Sequence, residues 1–275
     1  MGGFILYPDS ARARSDQLLV LPIKTRTITP NDDFLDVVLE AFSHTGYSIQ
    51  DNDILVAAET PLATTEGRVV KLSDVKPSAQ AKKLATKYDM IPEVVELVIR
   101  ESDEILGGIQ HVLLTIKNNT LMANAGVDKS NVPPGHACLL PADPRASAVR
   151  LRDQVKQRLG KTIGTMVIDS RTQPLRLGNV GLALGVAGFI PVGDDRGKKD
   201  LFGNILKIKR RGFADNLASA CELVIGEADE SVPAALVREA PVEFVDKSFD
   251  SAEMWISPRE CMYMAIFEEW RRGKK

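Results

Sequence analysis

Asp128 lies in a polar segment whose residue types suit the binding of a hard cation. The segment runs from Asn124 to Val132, reads NAGVDKSNV and precedes Pro133-Pro134. Because Mg²⁺ and Mn²⁺ prefer carboxylate and amide oxygens, Asp128 is a candidate metal ligand. The alternative is an Asx-type turn, in which Asp128 or Asn131 accepts hydrogen bonds from nearby backbone N–H groups. Taken alone, the pattern favours the turn.

A second carboxylate, Asp169, follows an apolar run with the composition of a β-strand. The run from Ile163 to Ile168 predicts a strand that ends in Asp169-Ser170. Catalytic groups are often presented at strand ends, because the sheet fixes them while the following loop leaves room for a ligand. The alternative is a helix or turn cap, for which Asp and Ser are preferred.

Arginines follow directly, in the segment from Arg171 to Gly178. This segment predicts one or two guanidinium groups beside the carboxylates, where planar donors suit a phosphate or a substrate carboxylate. For any single arginine, a surface salt bridge is the more common explanation.

Other motifs favour structural interpretations. The glycines from Gly178 to Gly188 do not form GxGxxG, and their spacing predicts close packing in the core or at a subunit interface. Gly160-Lys161-Thr162 lacks the first glycine of a P-loop and instead predicts a helix end at Gly160. The charged segment 194–203 favours a solvated loop over an anion site. The histidines are scattered, match no metal or triad pattern and are predicted to be structural or exposed: His44, His111 and His136.

The elements that must position these groups are mixed in type. Apolar runs predict strands at residues 18–23, 54–58, 112–116 and 163–168, and helical periodicity predicts helices at 33–43, 92–106 and 144–159. A further helix from Phe213 to Val224 is expected to stop at Gly226, and a last helix is expected from Ser257 to about Arg271. This order predicts an α+β fold, with mixed or antiparallel sheets and flanking helices.

Composition excludes several classes of protein. Lys and Arg number 35 against 37 Asp and Glu, so the overall charge does not indicate a nucleic-acid partner. Three widely spaced cysteines argue against a disulfide framework or structural zinc, and they fit a reducing cytoplasm. No apolar run approaches the ~18 residues of a membrane span, and no signal peptide is expected at the amino terminus.

Several segments together resemble the coenzyme F420-0:L-glutamate ligase family, over residues 18–240. The most specific are the block from Asn124 to Val132 and the block Lys199-Asp200-Leu201-Phe202-Gly203. The others are Glu66 through Val70, Pro77-Ser78, Arg100 through Ser102, Asp169-Ser170, Gly181 through Gly188, Ala214-Asp215 and Val237-Arg238.

The resemblance implies a gamma-glutamyl ligase-like fold in an intertwined homodimer, and a site that binds metal and nucleotide. The implied ligands of Mg²⁺ or Mn²⁺ are Asp128, Asp169, Ser170 and Glu227. The implied GTP contacts are Arg26, Thr27, Ile28, Thr29, Glu59, Thr60, Asn131, Ile225, Gly226, Glu227, Ala228 and Asp229, within a loop that continues to Val232. Arg176 is implied to bind a phosphate or an acidic group of the substrate.

The resemblance also implies a reaction, in which GTP phosphorylates the carboxylate of F420-0 and the amine of L-glutamate attacks the acyl phosphate. Asp128, Asp169 and Glu227 then act as metal holders more than as proton carriers. Two departures bear on this reaction. Thr64 stands where family members usually have Lys, and Gln173 falls in a stretch where they have further arginines.

The domain organisation expected is an N-terminal extension at 1–17, a catalytic domain at 18–245 and a C-terminal helical segment at 246–275. The leading interpretation is a cytoplasmic ligase with small-molecule substrates and no nucleic-acid or membrane partner. One alternative is a divergent paralogue that ligates an amino acid to another phosphorylated acid. Another is a non-catalytic homologue that binds nucleotide or coenzyme. Retention of Asp128, Asp169 and Ser170 weighs against this last alternative.

Overall fold

The computed structural model describes residues 17–249, 253–257 and 259–265. Its helices are α1 (Phe34–Thr45), α2 (Glu59–Thr65), α3 (Ala79–Tyr88), α4 (Pro92–Glu101), α5 (Pro144–Leu159) and α6 (Phe213–Ile225). Its strands are β1 (Leu19–Ile23), β2 (Ile54–Ala58), β3 (Val69–Lys71), β4 (Glu104–Ile109), β5 (Val112–Lys117), β6 (Thr120–Ala123), β7 (His136–Cys138), β8 (Gly164–Thr172), β9 (Asn179–Phe189), β10 (Val192–Asp194), β11 (Arg210–Gly212), β12 (Ala234–Arg238) and β13 (Phe244–Ser248).

The main sheet has six strands, in the spatial order β1-β12-β2-β8-β9-β13. In this sheet only β2 and β8 pair in parallel, with Ala58, the last residue of β2, opposite Ile168, and the other pairs are antiparallel. Smaller antiparallel sheets are formed by β4-β5-β6, by β3 with β7 and by β10 with β11. The mixed sheets with flanking helices confirm the predicted α+β class.

Helices cover both faces of the main sheet, because neighbouring residues of its central strands are buried although they point to opposite faces. Leu55 and Val167 pack with apolar residues of α1 and α5, whereas Val56 and Met166 pack with residues of α6. Because successive side chains of a strand point to opposite faces, a strand buried on both faces is apolar throughout. This explains the uninterrupted run ILVA in β2.

The glycines of β9 lie in this core, which confirms the packing interpretation. A Cβ atom on Gly181 would lie 2.3 Å from the backbone carbonyl of Ala218 in α6, and one on Gly185 would lie 2.3 Å from the carbonyl oxygen of Pro144 in α5. Both helices therefore approach β9 more closely than a side chain would allow.

A second apolar cluster joins α3 and α4 to β5 and to the segment that precedes Asp128. At its edge, Arg68 donates to both carboxylate oxygens of Glu101 over 3.0 Å and to the Leu140 carbonyl over 2.8 Å, and Lys117 contacts the same carboxylate. Burial alone would raise the pKa of Glu101, but Lys117 and Arg68 hold it below its ordinary value. Arg68, the last residue of the Glu66-Gly67-Arg68 block, therefore has a structural role.

Several element predictions are confirmed, and two are wrong at their ends. α5 and β2 have the predicted bounds, and Gly160 and Gly226 end their helices as expected. The helix predicted at 92–106 stops at Glu101, because Ser102 is extended and the chain continues as β4. The strand predicted to end at Ile168 continues to Thr172, because β9 pairs with it along this whole length. The strands that were not predicted are β3, β4, β6, β7 and β9 to β13, and the helices α2 and α3 were not predicted either.

At the carboxyl terminus, residues 262–265 are helical, so the described helix begins later than the expected start at Ser257. The Ser257 carbonyl accepts from the N–H groups of Glu260 and Cys261 in the preceding turn, and the expected end of the last helix lies outside the described residues. The predicted N-terminal extension also lies almost wholly outside them, and the domain boundaries stay a prediction. None of the helices within the described ranges has the length and apolar character that a bilayer span requires.

Candidate active site

A cavity of about 1000 Å³ opens at the carboxyl edge of the parallel pair β2 and β8. Its walls come from segments far apart in sequence: the loop after β1, the start of α2, the segment that precedes β7, the outer part of β8, the start of β9 and the loop after α6. Carboxyl ends of neighbouring parallel strands are common ligand sites, because loops diverge there and leave a crevice.

Almost all the residues that the resemblance assigned to metal or nucleotide line this one cavity. They are Arg26, Thr27, Ile28, Thr29, Glu59, Thr60, Asp128, Asn131, Asp169, Ser170, Ile225, Gly226, Glu227, Ala228 and Asp229. Arg176 is the exception. It is exposed in the turn between β8 and β9 and is not among the lining residues of its own chain.

Asp128 combines the two geometries that the sequence left open. Its Oδ1 accepts from the backbone N–H groups of Lys129 and Ser130, at 2.6 and 3.0 Å, and from the Ser130 hydroxyl at 3.0 Å. Its backbone pairs with Cys138 in both directions, at 3.0 and 2.8 Å, which fixes it to β7. The Asx-type turn is therefore present, and it holds the carboxylate at the cavity wall.

Asp169 and Ser170 lie within β8 and not beyond its end, so the predicted helix or turn cap is wrong. Asp169 Oδ1 accepts from the Ser170 N–H over 2.6 Å. Burial raises the pKa of Asp169 well above its ordinary value, and the charge of Glu59 raises it further. Ser170 sits opposite Gly181 and so faces α6. The two residues therefore present oxygens to the cavity from opposite faces of one strand.

Other acidic groups meet Asp169 at the cavity. Burial raises the pKa of Glu59 to about 7, with a further contribution from the charge of Asp128. Burial also raises the pKa of Glu222 to about 8, and its hydrogen bond with Glu227 raises it further. Carboxylates that repel one another in a partly buried wall are disfavoured as anions unless a cation neutralises them.

The oxygen atoms at this site are of the kind that hard divalent cations bind, although the side chains do not surround a common point. Asp128, Asp169, Ser170 and Glu227 offer carboxylate and hydroxyl oxygens, which Mg²⁺ and Mn²⁺ prefer. Throughout the described ranges, no three His, Cys, Asp or Glu side chains are close enough together to hold one ion as they stand. Binding would therefore require side-chain rotation.

Asn179 connects two of the predicted metal ligands. Its Nδ2 donates to Glu227 Oε1 over 3.0 Å and to the Ser170 hydroxyl over 3.4 Å. Asn179 is the first residue of β9 and pairs with Thr172, so the sheet fixes its position. The loop after α6, which lacks regular structure, is thereby attached to the sheet at Glu227.

Asp32 organises the loop that contains Arg26 and Thr29. Arg26 donates to both Asp32 oxygens, at 2.6 and 3.0 Å, and the Thr29 N–H and hydroxyl donate to Asp32 over 2.7 and 2.8 Å. The hydrogen bond from Arg26, followed by those from Thr29, lowers the pKa of Asp32 well below its ordinary value. The loop thus has a defined shape without a ligand, but its guanidinium is already paired.

Thr64 places an uncharged side chain in the cavity wall, where family members usually have a lysine. The Thr64 hydroxyl donates to the Thr60 carbonyl over 2.8 Å within α2. Cys138 lies nearby, and burial raises the pKa of its thiol to about 12, so it is no nucleophile at neutral pH. His136, on the same face of β7 as Cys138, also lines the cavity, and its Nδ1 lies 3.1 Å from the Pro134 carbonyl oxygen.

Sequence reasoning missed four residues of this site. Asn179 and Glu222 were not singled out, Asp32 was given no role at the site, and His136 was predicted to be structural or exposed. The helical spacing of α6 could have indicated Glu222, which lies five residues before Glu227, but nothing in the sequence marks Asn179 or Asp32 as neighbours of the predicted ligands.

Arg171 has an unusual environment beside the cavity. Its Nε is buried and has no hydrogen-bond partner, and none of its side-chain nitrogens forms an ion pair with any residue that the structure describes. A buried donor without an acceptor costs about 1–3 kcal/mol, so such atoms are rare in folded proteins.

Comparison with known proteins shows to which family this chain belongs. Residues 22–239 match the family model described as F420-0:Gamma-glutamyl ligase. Coenzyme F420:L-glutamate ligase of Methanopyrus kandleri is 37% identical over 214 residues, which cover 78% of this chain and 83% of the relative. The protein of that name from Methanocaldococcus jannaschii is 40% identical over 199 residues, or 72% and 80%.

The protein of the same name from Haloarcula marismortui is 32% identical over 249 residues, which cover 88% of this chain and 94% of the relative. The match with the family model includes every segment that lines the cavity. The chain therefore belongs to the F420-0:gamma-glutamyl ligase family.

Proposed function

We propose that this chain is a GTP- and divalent-metal-dependent ligase that forms an amide bond between L-glutamate and F420-0 through an acyl phosphate. The names of the related proteins support the two substrates. The observation that carries the proposal is the single cavity in which Asp128, Asp169, Ser170 and Glu227 meet the segments assigned to nucleotide.

The proposed reaction has two steps. A carboxylate oxygen of F420-0 attacks the γ-phosphorus of GTP, and the bond from this phosphorus to the β-phosphate oxygen breaks, which gives an acyl phosphate and GDP. The glutamate amine then attacks the acyl carbon and loses a proton to solvent, and inorganic phosphate leaves as the amide forms. A bound divalent cation would supply charge neutralisation for the transferred phosphoryl group.

The residues of this chain hold and orient the reactants. Asp128 offers a carboxylate from the segment that precedes β7, and Asp169 offers one from β8. Ser170 and Glu227 offer oxygens from the side of α6. Arg26 to Thr29, Glu59-Thr60, Asn131 and Ile225 to Asp229 form the remaining walls, which we assign to GTP. Holding the phosphoryl donor and the acceptor in line is the main contribution that a protein makes to phosphoryl transfer.

The neutral wall at Thr64 favours a second candidate. With no lysine there, the cavity has a different charge from that expected of a typical family member, and a divergent paralogue could ligate an amino acid to another phosphorylated acid. Calorimetric titration with GTP and with ATP, each with and without Mn²⁺, shows which nucleotide binds. A turnover assay then separates the ligase and the divergent paralogue from a non-catalytic homologue, which binds nucleotide without converting it.

We also propose a homodimer. Leu175 and Leu177, in the turn between β8 and β9, are both 104% exposed. Leu201 and Phe202, in the loop between β10 and β11, are 99% and 92% exposed, although they belong to one of the most specific family motifs. Exposed apolar groups in such numbers favour a protein partner. A second copy would also cover Arg176, which lies between the two leucines.

The test of the ligase proposal is metal-dependent turnover by the whole chain and by Asp169→Asn. We expect the wild type to convert GTP, F420-0 and L-glutamate to GDP, phosphate and the glutamylated product only with Mg²⁺ or Mn²⁺. Loss of a group that merely orients a metal ligand costs about 10–100-fold, so Asp169→Asn should lose more than this.

Asp153→Asn is the control, because Asp153 is an exposed carboxylate on α5 that pairs with Arg152 outside the cavity. It should keep wild-type turnover. Full activity of Asp169→Asn, or equal wild-type turnover after removal of divalent metal by EDTA, would overturn the proposal. Tight GTP binding without turnover would support the non-catalytic homologue instead.

A further inference from the structure

We infer that Arg171, which lies beside the cavity next to its lining residue Ser170, is an anion-binding residue that takes a carboxylate oxygen of an acidic substrate. The inference rests on the proposed function, since it requires that an acidic substrate enters this cavity. It identifies Arg171 as the arginine, among those of the segment 171–178, that takes this role, which the resemblance had implied for Arg176.

The pairing of β8 with β9 places Arg171 on the cavity side of the sheet. Asp169 pairs with Leu182 and Arg171 pairs with Val180, without irregularity between them, so Asp169 and Arg171 lie on the same face. On this face Leu182 packs with Met122, which itself lines the cavity. Arg171 is thus two residues beyond Asp169, towards the wall that β6 forms.

The immediate neighbours of Arg171 belong to the site. Ser170 precedes it in the chain, and Asn179, which precedes its cross-strand partner Val180, also lines the cavity. Arg171 is therefore flanked, along its own strand and across the β8–β9 pair, by residues of the cavity wall.

The guanidinium of Arg171 is free to accept a ligand. It has no hydrogen bond or ion pair with any residue that the structure describes, and its Nε is the buried side-chain atom left without a partner there. Arg26, in contrast, is held by Asp32 through two hydrogen bonds. An oxyanion that draws out the Arg171 guanidinium would provide the missing acceptor and could bind both of its donor edges.

The charge of the cavity explains why such a residue is needed. Seven acidic side chains line it: Glu59, Asp128, Asp169, Glu222, Glu227, Asp229 and Glu230. The basic side chains in the lining are Arg26, which is already paired, and His136. L-glutamate and the F420-0 carboxylate are anions, so those of their oxygens that do not contact metal require a cationic donor at the rim.

The experiment is steady-state kinetics of Arg171→Gln and Arg171→Lys in the full chain, with each substrate varied in turn. Loss of a charge-assisted hydrogen bond weakens binding on the order of 10–100-fold, so Arg171→Gln should raise the KM of one acidic substrate by this factor. An increase confined to L-glutamate identifies its carboxylate as the ligand, and one confined to F420-0 identifies the acceptor.

Arg171→Lys should give an intermediate KM for the same substrate, because it keeps the charge but loses the planar pair of donors. Lys82→Gln is the control, because Lys82 is an exposed cation on α3 away from the cavity, and it should leave every KM unchanged. The KM of GTP should also stay unchanged in both Arg171 variants.

Wild-type turnover is measured first, and its absence would overturn the proposed function and the role of Arg171 together. If the wild type turns over and Arg171→Gln leaves the KM of both acidic substrates within about twofold of wild type, the inference about Arg171 alone fails. A change in molecular mass of Arg171→Gln by light scattering, with unchanged KM values, would instead place Arg171 in a subunit interface.

Discussion

The side-chain amide of Asn179 donates a hydrogen bond to Glu227 Oε1 over 3.0 Å and so connects the first residue of β9 to the loop after α6. Helix α6 ends at Gly226, and Glu227 follows directly in a loop without regular structure. The same amide lies 3.4 Å from the Ser170 hydroxyl. Asn179 thus fixes the separation of two predicted metal ligands without being one itself.

Replacement of Asn179 by Ala should weaken metal binding. Without the amide, Glu227 loses its hydrogen bond to the sheet, and loss of such an orienting group typically costs about 10–100-fold in metal affinity. Titration with Mn²⁺, followed by the electron paramagnetic resonance of the free ion, measures this change. Asn216→Ala, an exposed residue on α6, is the control and should bind Mn²⁺ as the wild type does. An unchanged affinity of Asn179→Ala would show that Glu227 needs no support from β9.

The metal-free protein should become less stable as the pH rises from about 5 to about 8. Burial raises the pKa of Glu59 to about 7 and that of Glu222 to about 8, above the ordinary value of 4.5. The native state therefore binds more protons than the unfolded state over this range, and its stability is lost as these groups ionise.

Thermal unfolding in EDTA across this pH range tests the expectation. Glu222→Gln should lower the dependence on pH, because it removes one of the titrating groups. Saturating Mn²⁺ should also reduce the dependence, since a cation favours the ionised carboxylates. A melting temperature of the metal-free protein that rises from about pH 5 to about pH 8 would contradict the assignment of raised pKa values.

Gly181→Ala should destabilise the protein and disturb the site. Its new Cβ would lie 2.3 Å from the backbone carbonyl of Ala218, so α6 must move away from β9. Overpacking of this kind costs about 1–3 kcal/mol. Because α6 carries Glu222 and leads into Glu227, metal affinity should fall together with the free energy of unfolding.

Gly212→Ala is the matched control, because a Cβ at Gly212 would meet its nearest atom at 3.7 Å, an ordinary contact. Urea unfolding compares the two variants. Equal stability of Gly181→Ala and Gly212→Ala would mean that α6 and β9 are not packed as closely as described.

Charged residues in the exposed turn between β8 and β9 should dissociate the proposed homodimer. Leu175→Glu combined with Leu177→Glu places like charges where two apolar side chains are fully exposed in the single chain. Light scattering after size exclusion should then give the mass of one chain in place of two. Ile109→Glu, a change at an apolar residue of β4 that is 74% exposed, is the control and should remain dimeric. A wild type that is itself monomeric would refute the homodimer.

Three of the six strands of the main sheet and the four helices α1, α4, α5 and α6 could be predicted from local sequence, and the failures have physical causes. α5 has Asp143 as its cap, Pro144 at its first turn and Gly160 at its end, and these signals act within a few residues. β3, β7 and β12 lack such signals, because short strands are stabilised by partners distant in the chain. The end of β8 was misplaced for this reason, since its pairing with β9 extends it through Asp169 and Ser170.

The sequence by itself determined the family and the candidate metal and nucleotide residues, because the motif blocks that contain them are short, continuous segments. Only the tertiary structure decided that Asp128, Asp169 and Glu227 share one cavity, that Asn179 and Asp32 support it, and that Arg176 is not among its lining residues. These relationships depend on which strands pair and in which register. Register is set by packing across the whole sheet and is not written in any one segment.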